Sequence, residues 1–281
     1  MMKRLIISSS VVTAALLVIA AFFDLQIDEY IYNPESRFAK IFAFAGMLPQ
    51  YALMIFPPAM IIAAMFENRR KTKALSWVLA VAALLAVTSL HFYEIANYVR
   101  HETGLSNITL ILTLLCLLEI ALFFAALPFA KKNPAGLLVT GLVGFIAFTF
   151  GYEILQLLKT YWGRQRFFTM KDAAEQFTQW YIPQGKAASD SFKSFPSGHS
   201  FAAMCAVWFA LWPLFIDCLK KYTKLIFTLA LLFAFTVMVS RMIYGRHFLS
   251  DVTAGAALAL ASFALAKIII CGIFKKDLES R

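Results

Sequence analysis

The sequence predicts an all-α fold, a polytopic bundle of about eight transmembrane helices, on three observations. Of its 281 residues, 61% are hydrophobic and only 15% charged, with a mean hydropathy of +0.72. That is more apolar surface than a water-soluble domain of this length needs. Apolar runs recur near the ~20 residues that a helix requires to cross hydrocarbon. The polar connections between them alternate in charge, as the loops on two sides of a bilayer do.

The runs cover about residues 5–23, 41–66, 74–93, 108–130, 137–158, 199–216, 225–243 and 250–273. Lys3 and Arg4 ahead of the first run resemble the start of a signal peptide. Phe22 and Phe23 continue it with no small-x-small site to close it, so a retained helix is expected. Pro57 and Pro58 are expected to kink the second helix rather than end it. One set of connections holds Lys3 and Arg4; Arg69, Arg70, Lys71 and Lys73; Lys131 and Lys132; Lys220, Lys221 and Lys224; and Lys275, Lys276 and Arg281. The other holds Asp24, Asp28, Glu29, Glu35, Glu94, Glu102, Asp172, Glu175 and Asp190. The positive-inside rule makes the first set cytoplasmic and places both termini inside.

The net charge of +10 does not point to nucleic acid, because the basic residues sit in short clusters between apolar runs. Cys116, Cys205, Cys218 and Cys271 lie in or beside apolar runs without metal-ligand spacing and read as buried free thiols. The connection over about residues 159–198 is too long for a simple hairpin, which flags function or a small lid. Its Trp162, Trp180 and Tyr181 read as interfacial anchors.

Three polar pieces fall at the outer face. In the last, Ser240–Asp251, His247 and Asp251 are four apart and would share one face of a helix, with the carboxylate accepting from one ring nitrogen. A histidine held this way can be a base, a metal ligand or a nucleophile. Arg241 offers a planar fork for an oxyanion. In the second piece, Pro196-Ser197-Gly198-His199 opens a helix: proline there forfeits no hydrogen bond, and free N–H groups at a positive helix end suit a phosphate. His199 would stand beside the bound group, able to donate a proton. In the first piece, Lys159 and Arg166 are seven apart, on roughly one side if helical.

Lysine, six residues, arginine; Pro-Ser-Gly-His; then Ser-Arg, five residues, histidine, three residues, aspartate: this order and spacing resembles the three-part signature of the type-2 phosphatidic acid phosphatase family, relatives of the vanadium haloperoxidases. The family's first motif usually continues with proline, where this chain has Phe167, a difference that bears on loop geometry. The motifs cover only residues 159–251. The family core has six helices, so residues 1–73 read as an added N-terminal hairpin and 74–281 as the catalytic domain.

The resemblance implies His247 as a nucleophile forming a phosphohistidine, Asp251 as its orienting carboxylate, and His199 as the acid that protonates the leaving alkoxide. It implies Lys159, Arg166, Ser197, Gly198 and Arg241 as the phosphate-binding residues. The expected activity is an integral membrane lipid phosphatase of the bacterial plasma membrane, acting at the outer face on a lipid phosphate monoester or pyrophosphate. Undecaprenyl pyrophosphate, phosphatidic acid, phosphatidylglycerol phosphate and a lipid A phosphate all fit. No two-metal carboxylate cluster is present, so a metal-free, cofactor-free reaction is expected. A phosphotransferase with a lipid hydroxyl as acceptor uses the same site, and a transporter or scaffold with a decayed site is disfavoured by the full set of reactive residues. The haloperoxidase relatives are soluble, unlike this chain. Glu119 and Lys267, within apolar runs, read as functional positions by default, with snorkelling to the interface as the alternative for Lys267. Glu153 reads either as a buried counter-ion or as helix-interface glue. His91 and His101 read as interfacial.

Overall fold

The computed structural model describes residues 2–68, 74–105 and 107–275. The cluster Arg69, Arg70, Lys71 and Lys73 lies outside the described residues, as do Lys276 and Arg281 and the side chains of Lys3, Arg4, His101 and Glu102. The chain is a polytopic, all-α membrane bundle. Its helices are α1 (Met2–Ile31), α2 (Arg37–Ala45), α3 (Leu48–Glu67), α4 (Ala74–Thr103), α5 (Ile108–Lys132), α6 (Pro134–Trp162), the single turn α7 (Ala173–Gln176), α8 (Gly198–Met204), α9 (Thr223–Ile243) and α10 (Leu249–Ile273). Among the described residues, seven helices are long and apolar enough to cross a membrane, with α2 and α3 together making one span.

Caps set several boundaries. The side chains of Ser36 and Asn107 accept from the Ala39 and Leu110 amides at the starts of α2 and α5, satisfying donors that a helix start leaves open. Pro57 and Pro58 sit inside α3, which runs on past them. The expected sixth crossing takes an unusual form. It is α-helical over α8 and 3₁₀-helical over Cys205–Leu214. The 3₁₀ rise of about 2.0 Å per residue stretches these two pieces to about 30 Å, close to the hydrocarbon thickness.

The chain forms two compact units. The first comprises Met1–Gln50, Ala147–Phe209 and Leu225–Leu265, the second Tyr51–Ile146, Ala210–Lys224 and Ala266–Arg281. In the first, Ala20, Phe148, Phe201, Val237, Phe248, Val252 and Ala259 are fully buried or nearly so. Outward-facing Val11, Phe22 and Phe235 leave an apolar surface suited to lipid. In the second, Asn133 joins α6 to the 3₁₀ segment: its side-chain N–H donates to the Leu214 carbonyl at 2.8 Å while its side-chain oxygen accepts from the Gly136 amide.

Several expectations need correction. Asp24 and Asp28 are not loop residues. α1 continues past the apolar run, and both carboxylates are buried in its last turns. Only Cys205 of the four free thiols is buried; Cys116 and Cys218 are exposed. His91 is buried in α4 with its ring 5.9 Å from that of Phe145, rather than interfacial. Glu153 is exposed and so is no buried counter-ion. Glu119 is buried in α5, and Lys267 is half-buried on α10, both in the second unit. Trp162 and Trp180 anchor the loop to itself: the Trp162 indole N–H donates to the Trp180 carbonyl at 2.8 Å, and both rings stack on Phe195.

Candidate active site

The site forms within the first unit where four chain segments meet. The C-terminal end of α6 brings Lys159 and, beyond it, Arg164 and Arg166. The turn before α8 brings Ser197 and Gly198, and α8 itself His199. The end of α9 brings Arg241. The connection into α10 brings His247, followed by Asp251 in the first helical turn. The α8 and α10 segments dock through their backbones. The Ser197 amide donates to the Asp251 carbonyl at 2.9 Å, and a Cβ on Gly255 would lie 2.2 Å from the Ser197 carbonyl oxygen. At Gly245, φ is +65° and a Cβ would lie 2.5 Å from the Tyr32 ring, so the turn that aims His247 needs glycine twice over.

A cavity of about 250 Å³ opens at this junction. Lys159, Arg166, Gly198, His199, Arg241 and His247 all line it. Lys159 is buried, and its Nζ donates to the Lys193 carbonyl at 2.9 Å, which fixes the ammonium. Arg166 pairs with Asp190 through both terminal nitrogens, at 3.1 and 3.2 Å. Arg241 is buried with its guanidinium 5.6 Å from the Tyr244 ring centre. Ser197 and Asp251 do not line the cavity but stand behind it, both fully buried. The Ser197 hydroxyl is taken up in capping α8: it accepts from the Ser200 amide and lies 3.0 Å from the Ser200 hydroxyl.

His247 and Asp251 are arranged differently from the helical pair expected. His247 precedes α10 instead of lying on it, and its Nδ1 is 3.8 Å from Asp251 Oδ2, beyond hydrogen-bonding range. Nδ1 is instead 2.7 Å from the Ser194 carbonyl. A carbonyl only accepts, so Nδ1 carries the proton and Nε2 keeps its lone pair. Burial pushes the His247 imidazolium pKa from 6.5 down to about 3; Lys159 and Arg166 add to that, and Asp251 opposes it. The ring is therefore neutral at pH 7.

Asp251 is itself held by three groups. Its Oδ2 accepts from the Ser194 hydroxyl at 2.5 Å and the Phe248 amide at 2.9 Å, and its Oδ1 accepts from Arg164 at 2.7 Å. The same serine thus bonds the carboxylate with its hydroxyl and the imidazole with its carbonyl. Arg164, Ser194 and Asp24 were not singled out in the sequence. Arg164 stands in the cationic stretch between Lys159 and Arg166, and Asp24 and Asp28 share a face of α1 by their spacing of four, so signals existed for both. Ser194 carried none. Gln50, Tyr152, Gln156, Asp190 and Lys193 complete the polar part of the cavity wall. Asp28, one turn beyond Asp24, has both carboxylate oxygens buried without a hydrogen-bond partner.

Among the described residues, no group of three or more histidine, cysteine, aspartate or glutamate side chains is arranged to hold a metal ion. A neutral imidazole with a free lone pair, on a cavity lined by Lys159, Arg166, Lys193 and Arg241, is suited chemically to a nucleophilic attack on an anionic centre.

Comparison with known proteins bears on this geometry. The family model described as PAP2 superfamily matches residues 135–272. A curated relative, phosphatidylglycerophosphatase B of Bacillus subtilis (strain 168), is 38% identical over 80 residues, a stretch that covers 28% of this chain and 39% of the relative's length. No solved structure matches.

Proposed function

We propose that the chain, which matches the PAP2 superfamily over residues 135–272, is a membrane lipid phosphatase that hydrolyses a lipid phosphate through a phosphohistidine at His247. The observation that carries this reading is the His247 ring, its Nδ1 proton tied to the Ser194 carbonyl and the residue itself lining the same cavity as Lys159, Arg166 and Arg241.

The chemistry then runs in two steps. The Nε2 lone pair attacks phosphorus and forms the P–N bond as the P–O bond to the lipid breaks. His199, on the same cavity wall, gives its proton to the departing oxygen. Water then attacks phosphorus, His199 takes a proton from it, and the P–N bond returns its electron pair to Nε2. Lys159, Arg166 and Arg241 answer the roughly two negative charges of a phosphate monoester, and the Gly198 amide adds a donor. Asp251 stabilises the charged phosphoimidazole, and Ser197 supports the turn that carries Gly198 and His199. These cations do without a divalent metal and would repel one.

The Bacillus relative is named for phosphatidylglycerophosphate, which makes that lipid the first substrate to try, alongside phosphatidic acid and undecaprenyl pyrophosphate. The test is phosphate release by purified protein from each lipid, with no acceptor lipid added. Release should persist in EDTA and be inhibited by vanadate. His247→Ala should abolish both turnover and the alkali-stable phosphoenzyme. His199→Ala should slow turnover by the ~10²–10⁴ typical of a lost general acid. It should cost less with p-nitrophenyl phosphate, whose leaving oxygen needs no proton. A phosphoenzyme that survives His247→Ala sinks the assignment; release that needs Mg²⁺ sinks the metal-free mechanism.

A further inference from the structure

We propose that Asp24, on α1 and outside the stretch that matches the family, is a positioning residue of this site, holding Asp251 and through it His247 by way of Arg164 and Ser250. The consequences for turnover rest on the phosphatase reading; the geometry does not.

Arg164 is fully buried, and its donors are distributed with little to spare. Nε donates to the Thr178 carbonyl at 3.0 Å. One terminal nitrogen donates to Ser250 Oγ and Asp251 Oδ1, both at 2.7 Å. The other donates to Asp24 Oδ2 at 3.0 Å. The guanidinium also lies 4.1 Å from the Phe248 ring centre, so it has a packed face as well as a hydrogen-bonded edge. One cation is thus divided between two carboxylates from opposite ends of the sequence. Asp24 contacts α10 directly too: its Oδ1 accepts from the Ser250 amide at 2.9 Å, and its Oδ2 accepts from the Ser250 hydroxyl.

The arrangement forms a continuous path. Asp24 fixes Arg164 and Ser250; these fix Asp251; Asp251 fixes the Ser194 hydroxyl; and the Ser194 carbonyl fixes His247 Nδ1. All of these groups are buried and rigidly partnered, so a shift at one end has no slack in which to disappear. Buried ion pairs are poor sources of net stability, whereas losing one partner strands the other. Asp24→Asn is close to isosteric. It can still accept from the Ser250 amide, but it cannot also accept from Arg164, and the undivided guanidinium charge then falls on Asp251.

The experiment uses the full-length protein in nanodiscs. Histidines are labelled with ¹⁵N, and the His247 Nδ1–H resonance is assigned by its loss in His247→Ala. Asp24→Asn should shift that resonance. It should also lower kcat at least about tenfold, toward the ~10² that a 1 Å misplacement costs. KM and the number and affinity of vanadate sites should stay within about twofold of the parent protein. Ser250→Ala, which removes one of the same contacts with less disturbance, should shift the same resonance in a smaller measure, and it stands in should Asp24→Asn fail to fold. An unmoved His247 resonance overturns the proposal. So does a kcat that falls only in proportion to lost vanadate sites, since that is what a merely structural role produces. If the parent protein releases no phosphate from any lipid while Asp24→Asn still moves the resonance, the phosphatase reading fails and the positioning role stands.

Discussion

The proton on His247 resides on Nδ1 because the Ser194 carbonyl 2.7 Å away leaves it no other choice, and burial keeps a second proton off the ring. The folded protein binds that second proton only near pH 3, whereas an exposed histidine takes it up near 6.5. The unfolded chain therefore holds more protons between these values. The stability gained from a neutral His247 is complete above about pH 6.5 and is lost as the pH falls toward 3. Followed by ring ¹⁵N shifts in nanodiscs, His247 should stay neutral down to pH 5. Titration near 6.5 would mean that the ring is solvated and that its nucleophilic form is not the buried tautomer described.

At the scale of elements, the two histidines of the cavity are set by how α10 meets the turn before α8. Gly255 and the Ser197 amide make that contact, backbone against backbone. Gly255→Ala would bring its methyl to 2.2 Å from a carbonyl oxygen that cannot rotate away, so one of the two segments must move. A cost of about 1–3 kcal/mol follows from overpacking of this kind. The measurement is the thermal midpoint together with vanadate affinity, both of which should fall; an unchanged affinity would show that this contact does not set the cavity. The sequence made the helices legible, since apolar runs near twenty residues have few other uses. It made the three clusters of polar residues legible by their spacing. It did not reveal that α1 carries its last turns beyond the apolar run, because hydropathy ends a helix where charge begins. Asp24 enters the buried network because Arg164 and Ser250, from distant segments, meet it there. Nor could the spacing of His247 and Asp251 show that the helix starts between them, at Leu249, and that a serine from the long loop takes the bond assigned to the carboxylate.

Across the whole molecule, connectivity decides which helix ends share a face. The C-terminal ends of α1, α6 and α9 and the starts of α8 and α10 meet in one site, as alternating crossings require. That count works only if the 17 residues of Gly198–Leu214 cross as well, which their partly 3₁₀ geometry makes long enough to do. Counted along the chain, seven long spans and this one put the connections after α5 and after Leu214 an odd number of crossings away from the loop that carries Ser189. At those two connections, Lys131, Lys132, Lys220, Lys221 and Lys224 supply the charge that retention in the cytoplasm favours. The site should therefore face outward, toward lipid headgroups of the outer leaflet. Cysteine scanning tests this, after replacement of Cys116, Cys205, Cys218 and Cys271, since Cys116 and Cys218 are exposed and would react. A cysteine at Ser189, exposed in the loop beside the cavity, should react with an impermeant maleimide in intact cells. A cysteine at the exposed Lys221 should react only once the membrane is opened. The opposite pattern would turn the site to the cytoplasm. Labelling of both positions in intact cells would mean that Gly198–Leu214 does not cross, and the shared face would then need another explanation.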